Sequence, residues 1–328
     1  MTTARTVPVT TEMDGDELDA LDAWHLARRH GLRTIAVESF VRFRYGDGFT
    51  SSRALALQAC LAVVPFLLAL TGLASDIDHD RGGAHVVDSL SPGAGDSDAL
   101  ASAVEKSDES ERAGEIALVF GLGFALLSMT TAMAQVERGA NRIYGIRRDR
   151  KALAKYGRAA VLTAVLAVPV GVGFVMIVGG HALGEAMVDN YGWSDTAEDW
   201  WNVLRWPVGL TLLVLTIAVL LDHSPRRRQP ALSWLALGSA IAVVLSAGAT
   251  LGLAAYVSLS GSFGSVYGPL ASIFALLLWA LLSSIALFYG TAVCAQLEAL
   301  RAGEDAPTLD DPGRPHARTV GDRPSEDA

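Results

Sequence analysis

Five residues that could bind a metal stand close together between the first two long apolar blocks of the chain. They are Asp76, Asp78, His79, Asp80 and His85. Carboxylates beside imidazoles can hold a divalent cation. However, the spacing matches neither an EF-hand loop nor a zinc pattern, and the surrounding segment is rich in glycine. We therefore interpret it as a solvated acidic loop and predict no metal site.

The sequence motifs of common enzymes are missing. There is no Gly-rich phosphate loop with its lysine, no Gly-x-Ser-x-Gly, no His-Glu-x-x-His and no dinucleotide fingerprint. The two cysteines, Cys60 and Cys294, lie in or at the end of apolar blocks and share no metal-binding spacing. We predict that the protein is not an enzyme and has no catalytic residue and no cofactor.

A basic loop between the second and third apolar blocks could attract phosphate groups of lipid headgroups or of RNA. Its candidate contacts are Arg138, Arg142, Arg147, Arg148, Arg150 and Lys151. The loop offers only two tyrosines for stacking on bases, and basic loops also orient every multi-pass membrane protein. We keep these six side chains as candidate contacts to lipid headgroups and expect no nucleic acid as a partner.

The elements that position these loops are six blocks without Asp, Glu, Lys, Arg or His. A helix needs about 20 residues to cross a hydrocarbon core of about 30 Å. The blocks cover 54–73, 116–134, 159–178, 207–221, 232–257 and 270–294. Together with a hydrophobic content of 51%, they predict an all-α, polytopic membrane bundle of six transmembrane helices. The fourth block is short, and the tryptophans before it predict a helix that begins among them.

The blocks hold small and hydroxylated residues instead of ionisable ones. Ion-coupled transporters usually keep a charged group at membrane depth, so a carboxylate-driven pump is disfavoured. Gly248 and Gly252 form a small-xxx-small pair, which is typical of close contact with a neighbouring helix.

Lysine and arginine are distributed unevenly between the two sides of the predicted bundle. The N-terminal segment, the 135–158 and 222–231 loops and the C-terminal segment hold all of the 26 except Arg81, Lys106, Arg112 and Arg205. Positively charged loops stay in the cytoplasm. The pattern predicts a multi-pass inner-membrane protein with both termini cytoplasmic, and the polar first fifty residues predict no cleaved signal peptide.

Two polar segments flank the predicted transmembrane domain, 51–297. In residues 1–50, apolar side chains recur among arginines at helical spacing, which predicts amphipathic helices. They either lie on the cytoplasmic leaflet or pack against the bundle. Residues 298–328 mix Pro, Gly, Asp and Arg without apolar period and are predicted to be a disordered tail.

Three stretches carry a resemblance to a known family. The first begins at Asp47-Gly48 and reaches Pro65; the second is Asn141-Arg142-Ile143-Tyr144-Gly145-Ile146. The third is Phe263-Gly264-Ser265-Val266-Tyr267-Gly268, followed by Trp279 and Gly290. Over about residues 35 to 300 the chain resembles the YihY/BrkB family of bacterial inner-membrane proteins, once labelled ribonuclease BN.

The chain departs from the family after Gly290. Where the family tends to have Gly-Ala-Glu-Leu-Asn-Ala-Glu, this chain has Gly290-Thr-Ala-Val-Cys-Ala-Gln296 and lacks both acids and the Asn. It resembles the divergent YhjD-like branch in this respect. Any role that depends on the acidic pair does not carry over to this chain.

The resemblance implies a six-helix membrane protein that supports envelope integrity and moves lipid or another amphiphile. Membrane lipids, and a second copy of the chain in an oligomer, are the partners to expect. One alternative is a structural or scaffolding membrane protein without a substrate. A more remote one is a membrane-associated ribonuclease, which would need acid–base or metal chemistry where the predicted cytoplasmic loops offer arginines.

Overall fold

The computed structural model describes residues 5–13, 19–77, 111–174, 176–177, 188, 194–259, 271–304 and 306–310. In this part of the chain there are eight α-helices: α1 Ala20–His30, α2 Leu32–Tyr45, α3 Gly48–Ile77, α4 Glu111–Ile143, α5 Ala152–Phe174, α6 Asp195–His223, α7 Leu232–Leu259 and α8 Ala271–Arg301. Two short strands, β1 Arg5–Thr6 and β2 Leu309–Asp310, form one antiparallel pair. The predicted helical class is confirmed.

Each predicted span lies within or largely within one of the helices α3 to α8. Among the described residues, five helices, α4 to α8, are long and apolar enough to cross a membrane. The remaining span, 54–73, lies in the 30-residue helix α3, which is not one of the five. Helix α6 begins at Asp195, where Ser194 caps it, so the short fourth block gains the length it needs from the tryptophan segment.

The C-terminal boundary differs from the prediction. Helix α8 continues to Arg301, because Leu297 and Leu300 are buried in the bundle. Beyond it, Leu309 pairs with Thr6 at the other end of the chain. Of the segment predicted to be disordered from residue 298, residues 298–301 therefore belong to α8 and residues 309–310 form β2, while 305 and 311–328 lie outside the described residues.

Helices α3 to α8 form a ring in chain order. Each contacts the next one, and α8 closes the ring by packing against both α3 and α7. Helix α8 also contacts α2 and α4. It is therefore the helix that connects most of the bundle.

The two ends of the ring are packed differently. At one end, which we call the packed end, every residue of α8 from Gly290 to Leu300 is buried. Towards the opposite end, large apolar side chains are exposed on several helices, as Phe120, Val168, Leu251 and Ile273 show. Apolar surface of this extent requires lipid, or another apolar phase, around it.

Helices α1 and α2 cover the packed end. The side chain of Asp19 caps α1 by accepting a hydrogen bond from the Asp22 amide at 2.8 Å. Gly31, with a φ of 90°, separates the two helices. Ala23 and Ala27 of α1, together with Ile35 of α2, are buried in one cluster with residues of α6, α7 and α8. These helices are thus packed against the bundle on one side.

Helices α7 and α8 approach most closely where two glycines meet. A Cβ atom at Gly238 would lie 2.5 Å from the carbonyl oxygen of Gly290, and the reverse distance is the same. At Gly248 and Gly252, the pair that the sequence favours, a Cβ atom would have no atom of a neighbouring described residue within 4 Å. The close contact therefore lies about three turns nearer to the packed end.

We expect Gly238→Ala to destabilise the protein by about 1–3 kcal/mol, because the added methyl group would overlap backbone of α8. Gly252→Ala is the matched control. It should be neutral or stabilise by up to about 1 kcal/mol, since alanine favours a helix. Thermal unfolding of the detergent-solubilised protein measures the stability of both variants. Equal effects would contradict the close contact of α7 and α8 at Gly238.

Candidate functional site

Five polar side chains are fully or almost fully buried at the packed end, and we call them the charge cluster. They come from α2, the end of α4, the α6–α7 loop and the end of α8: Arg42, Tyr144, Arg227, Gln296 and Glu298. Removing charges from water is costly unless each one finds partners. The geometry of the cluster shows how those partners are supplied.

Glu298 is the centre of the charge cluster. One carboxylate oxygen lies 2.8 Å from a guanidinium nitrogen of Arg227. The other accepts a hydrogen bond of 2.8 Å from the Tyr144 hydroxyl. The Arg227 guanidinium also lies over the Tyr144 ring, 4.5 Å from its centroid. Three distant parts of the chain thus meet at one carboxylate.

Arg42 forms the other half of the cluster. Its Nε donates to the side-chain oxygen of Gln296 at 3.0 Å, and the Gln296 amide donates to Glu38 at 3.1 Å. One terminal nitrogen of Arg42 donates to the Thr10 hydroxyl at 2.6 Å. The neutral Gln296 side chain therefore connects a cation to a carboxylate.

Burial sets the ionisation of this cluster. Desolvation lowers the pKa of Arg42 to about 10, although the charge of Glu298 opposes the shift. Desolvation, helped by the charge of Glu298, raises the pKa of Tyr144 well above its ordinary value. At neutral pH Arg42 is thus charged, and Tyr144 keeps the proton that it donates to Glu298.

An extended N-terminal segment, residues 5–13, lies over the charge cluster. The Thr10 amide donates to the Tyr144 carbonyl at 3.2 Å, and Arg227 donates to the Thr11 carbonyl at 3.3 Å. The Thr11 hydroxyl donates to Glu304 at 2.5 Å. Gly145, with a φ of 78°, lets this segment pass against its backbone. The described N-terminal segment is therefore joined to the residues that follow α8 at the packed end.

Asp149 organises the basic loop. Its carboxylate accepts from Asn141 at 3.2 Å and pairs with Lys155 at 3.2 Å and with Arg138 at 3.3 Å. The side-chain oxygen of Asn141 accepts from the Arg226 amide at 2.7 Å. Burial alone would raise the pKa of Asp149, but the bonds from Asn141 and Lys155 outweigh it and lower the pKa. The ionised Asp149 carboxylate therefore fixes the conformation of this loop.

The six basic residues proposed for headgroup contact separate into two groups. Arg138 pairs with Asp149, and Arg150 pairs with Glu137 at 3.1 Å while donating to carbonyl groups of Ser224 and Pro225. These two side chains have partners inside the protein. The other four are exposed and have no polar partner among the described residues: Arg142, Arg147, Arg148 and Lys151.

Where they are described, several residues of the family-like motifs make packing contacts or hydrogen bonds within the bundle. Asn141 and Tyr144 are buried in the contacts above, and Pro65 is buried in α3. The Trp279 indole donates to the Thr250 hydroxyl at 3.0 Å. This bond joins α8 to α7 farther from the packed end than the Gly238–Gly290 contact. The remaining motif residues, Gly264, Tyr267 and Gly268, lie outside the described residues, as does the acidic segment from Asp78 to His85.

Three residues of the charge cluster do not stand out in the sequence: Arg42, Arg227 and Glu298. The two arginines count as ordinary orientation charges, and Glu298 falls just beyond the last apolar block. A signal is nevertheless present. Glu298 follows Cys294 by four residues and Ala295 by three, so it lies on the same helix face as apolar residues at the end of the last block.

We expect Glu298→Gln to lower the free energy of unfolding by about 3–5 kcal/mol, because Arg227 would keep a buried charge without its counter-ion. Glu12→Gln is the control, since Glu12 is exposed and has no polar partner among the described residues. Thermal unfolding in detergent compares the two. If both variants unfold like the original chain, Glu298 does not hold the packed end together.

The lowered pKa of Asp149 predicts acid sensitivity. The ionised carboxylate stabilises the fold above its unfolded pKa of about 4, and this contribution is lost as the pH falls through the lower folded value. Asp149→Asn should therefore be less stable at neutral pH and should lose less stability on acidification. Unfolding temperatures measured from neutral pH downwards test this, and parallel curves for both proteins would contradict it.

A family model described as virulence factor BrkB matches residues 39–313 of the chain. The matched range includes the second part of α2 and all of the helices α3 to α8. No curated protein and no solved structure gives a significant match.

Proposed function

This chain belongs to the BrkB virulence factor family, and from that premise we propose that it is a non-enzymatic inner-membrane protein that moves lipid or another amphiphile and thereby supports envelope integrity. The family resemblance read from the motifs is confirmed, and a membrane protein of this family is its direct consequence. The YhjD-like branch stays a prediction. The transport role is our inference from the shape of the bundle.

We propose six spans with both termini in the cytoplasm. Five apolar helices and the ring position of α3 between α4 and α8 support the count. The pairing of β1 with β2, which joins residues 5–6 to residues 309–310, supports termini that share one side of the bundle. The arginine-rich loops lie at that same packed end, which by the charge rule faces the cytoplasm.

The contrast between the two ends of the ring carries the transport proposal. The charge cluster closes the packed end with one buried ion pair, Arg227–Glu298, and the buried Arg42 beside it. Towards the other end, apolar side chains of α7 such as Leu251 and Leu259 are 72% and 86% exposed. A bundle closed to water at one end and apolar at the other suits an amphiphile that enters from the bilayer. The exposed Arg142, Arg147, Arg148 and Lys151 are the proposed headgroup contacts.

Labelling with a membrane-impermeant maleimide tests the topology in a chain without Cys60 and Cys294. Arg148→Cys should react only when the cytoplasmic face is open, as in inverted vesicles. Asp199→Cys, at the start of α6, should react in spheroplasts. The opposite pattern would reverse the proposed orientation.

Leaflet exchange of labelled lipid in proteoliposomes tests the function. We expect exchange above that of empty vesicles, and a severalfold decrease when Arg142, Arg147 and Arg148 are all replaced by Gln, because headgroups lose their contacts. The Glu12→Gln variant should behave as the original chain. Absence of exchange across several lipids would remove the transport role and leave the scaffolding alternative.

The ribonuclease alternative makes a different prediction. If nuclease-free preparations cleaved tRNA, and replacement of Arg147, Arg148 and Arg150 abolished the cleavage, the basic loop would be a nucleic-acid site instead.

A further inference from the structure

Helices α1 and α2 expose a face that no part of the described chain covers. Its large apolar side chains are Leu21, Trp24, Leu32, Val37 and Phe40, between 39% and 66% exposed. The family match begins at residue 39. The face therefore lies almost entirely outside the matched range, and the bundle that the family shares does not explain it.

The orientation of this face is fixed by the other side of the two helices. Ala23, Ala27 and Ile35 are buried against α7 and α8. The Tyr289 hydroxyl of α8 donates to the Ala36 carbonyl at 3.0 Å. Tyr289 lies twelve residues before the end of α8, about 18 Å along its axis. The start of α2 thus lies against the side of α8.

Arginines share the exposed faces at helical spacing. Leu21, Trp24 and Arg28 follow one another at i, i+3 and i+7, and the Arg28 guanidinium lies 5.4 Å from the Trp24 ring centroid. On α2, Val37 and Phe40 stand between Arg33 and Arg44 at the same kind of spacing. Apolar side chains flanked by arginines match the boundary between acyl chains and anionic headgroups.

We propose that α1 and α2 dock through this face on the anionic phospholipid surface beside the packed end. The apolar side chains insert at the headgroup level, and Arg28, Arg29 and Arg33 contact phosphate groups. Because α1 and α2 are packed on the ends of α7 and α8, docking ties the closed end of the bundle to the leaflet. The proposal requires embedding in a bilayer but does not depend on lipid transport or on orientation.

Single cysteines carrying an environment-sensitive fluorophore test the docking in full-length protein without Cys60 and Cys294. Leu21→Cys and Val37→Cys probe the face, and Glu12→Cys is the exposed control. The protein is placed in nanodiscs of phosphatidylcholine with or without phosphatidylglycerol. Nanodiscs present the same lipid on both sides, so the result is independent of topology and of leaflet exchange.

We expect blue-shifted emission from positions 21 and 37 but not from 12, and a larger shift with phosphatidylglycerol. Replacing Arg28, Arg29 and Arg33 by Gln should abolish the additional blue shift that phosphatidylglycerol causes. We expect each replaced arginine to lower the ratio of inserted to exposed fluorophore roughly fivefold. Emission from 21 and 37 that matches position 12 in both lipids would overturn the proposal. A blue shift found only in discs that hold two copies, with cross-linking of Val37→Cys between them, would assign the face to a second copy and likewise overturn it.

Discussion

The burial of Glu298 is the constraint on which the packed end depends. A carboxylate without water needs a cation and hydrogen-bond donors, and in this bundle they come from separate parts of the chain. Arg227 comes from the α6–α7 loop and Tyr144 from the end of α4. Satisfying Glu298 therefore fixes the ends of four spans relative to each other, and the N-terminal segment completes the arrangement through Thr11.

Towards the opposite end the helices are joined by weaker polar contacts. Helices α7 and α8 share the hydrogen bonds Ser246–Ser283 at 3.1 Å and Trp279–Thr250 at 3.0 Å. A hydrogen bond between neutral hydroxyl or indole groups can be replaced by another at little cost in free energy. Opening a buried ion pair costs more, because it leaves two charges without their counter-ions. Among the described residues, the packed end thus holds a buried ion pair, whereas the named α7–α8 contacts farther along the helices are hydrogen bonds between neutral groups.

The helices could be predicted from the sequence, since a charge-free block of about 20 residues has few stable alternatives to a membrane helix. The partners of individual charges could not. Arg148 and Arg150 are two residues apart in the same loop, yet one is exposed and the other is paired with Glu137. Gly238 and Gly252 lie in the same apolar helix, yet only one meets a neighbour among the described residues. These differences arise from which side of a helix faces the bundle, and hydropathy does not contain that information.

The amide of Gln296 has a physical role in the charge cluster. An amide can accept from Arg42 and donate to Glu38 at the same time, and both bonds are present. A carboxylate at position 296 would satisfy Arg42 but would repel Glu38 at a distance of about 3 Å. A buried acid stands two residues later, at Glu298, which pairs with Arg227 and accepts a hydrogen bond from Tyr144. The buried negative charge of α8 thus stands at Glu298, and the neutral amide at 296 is compatible with the neighbouring Glu38.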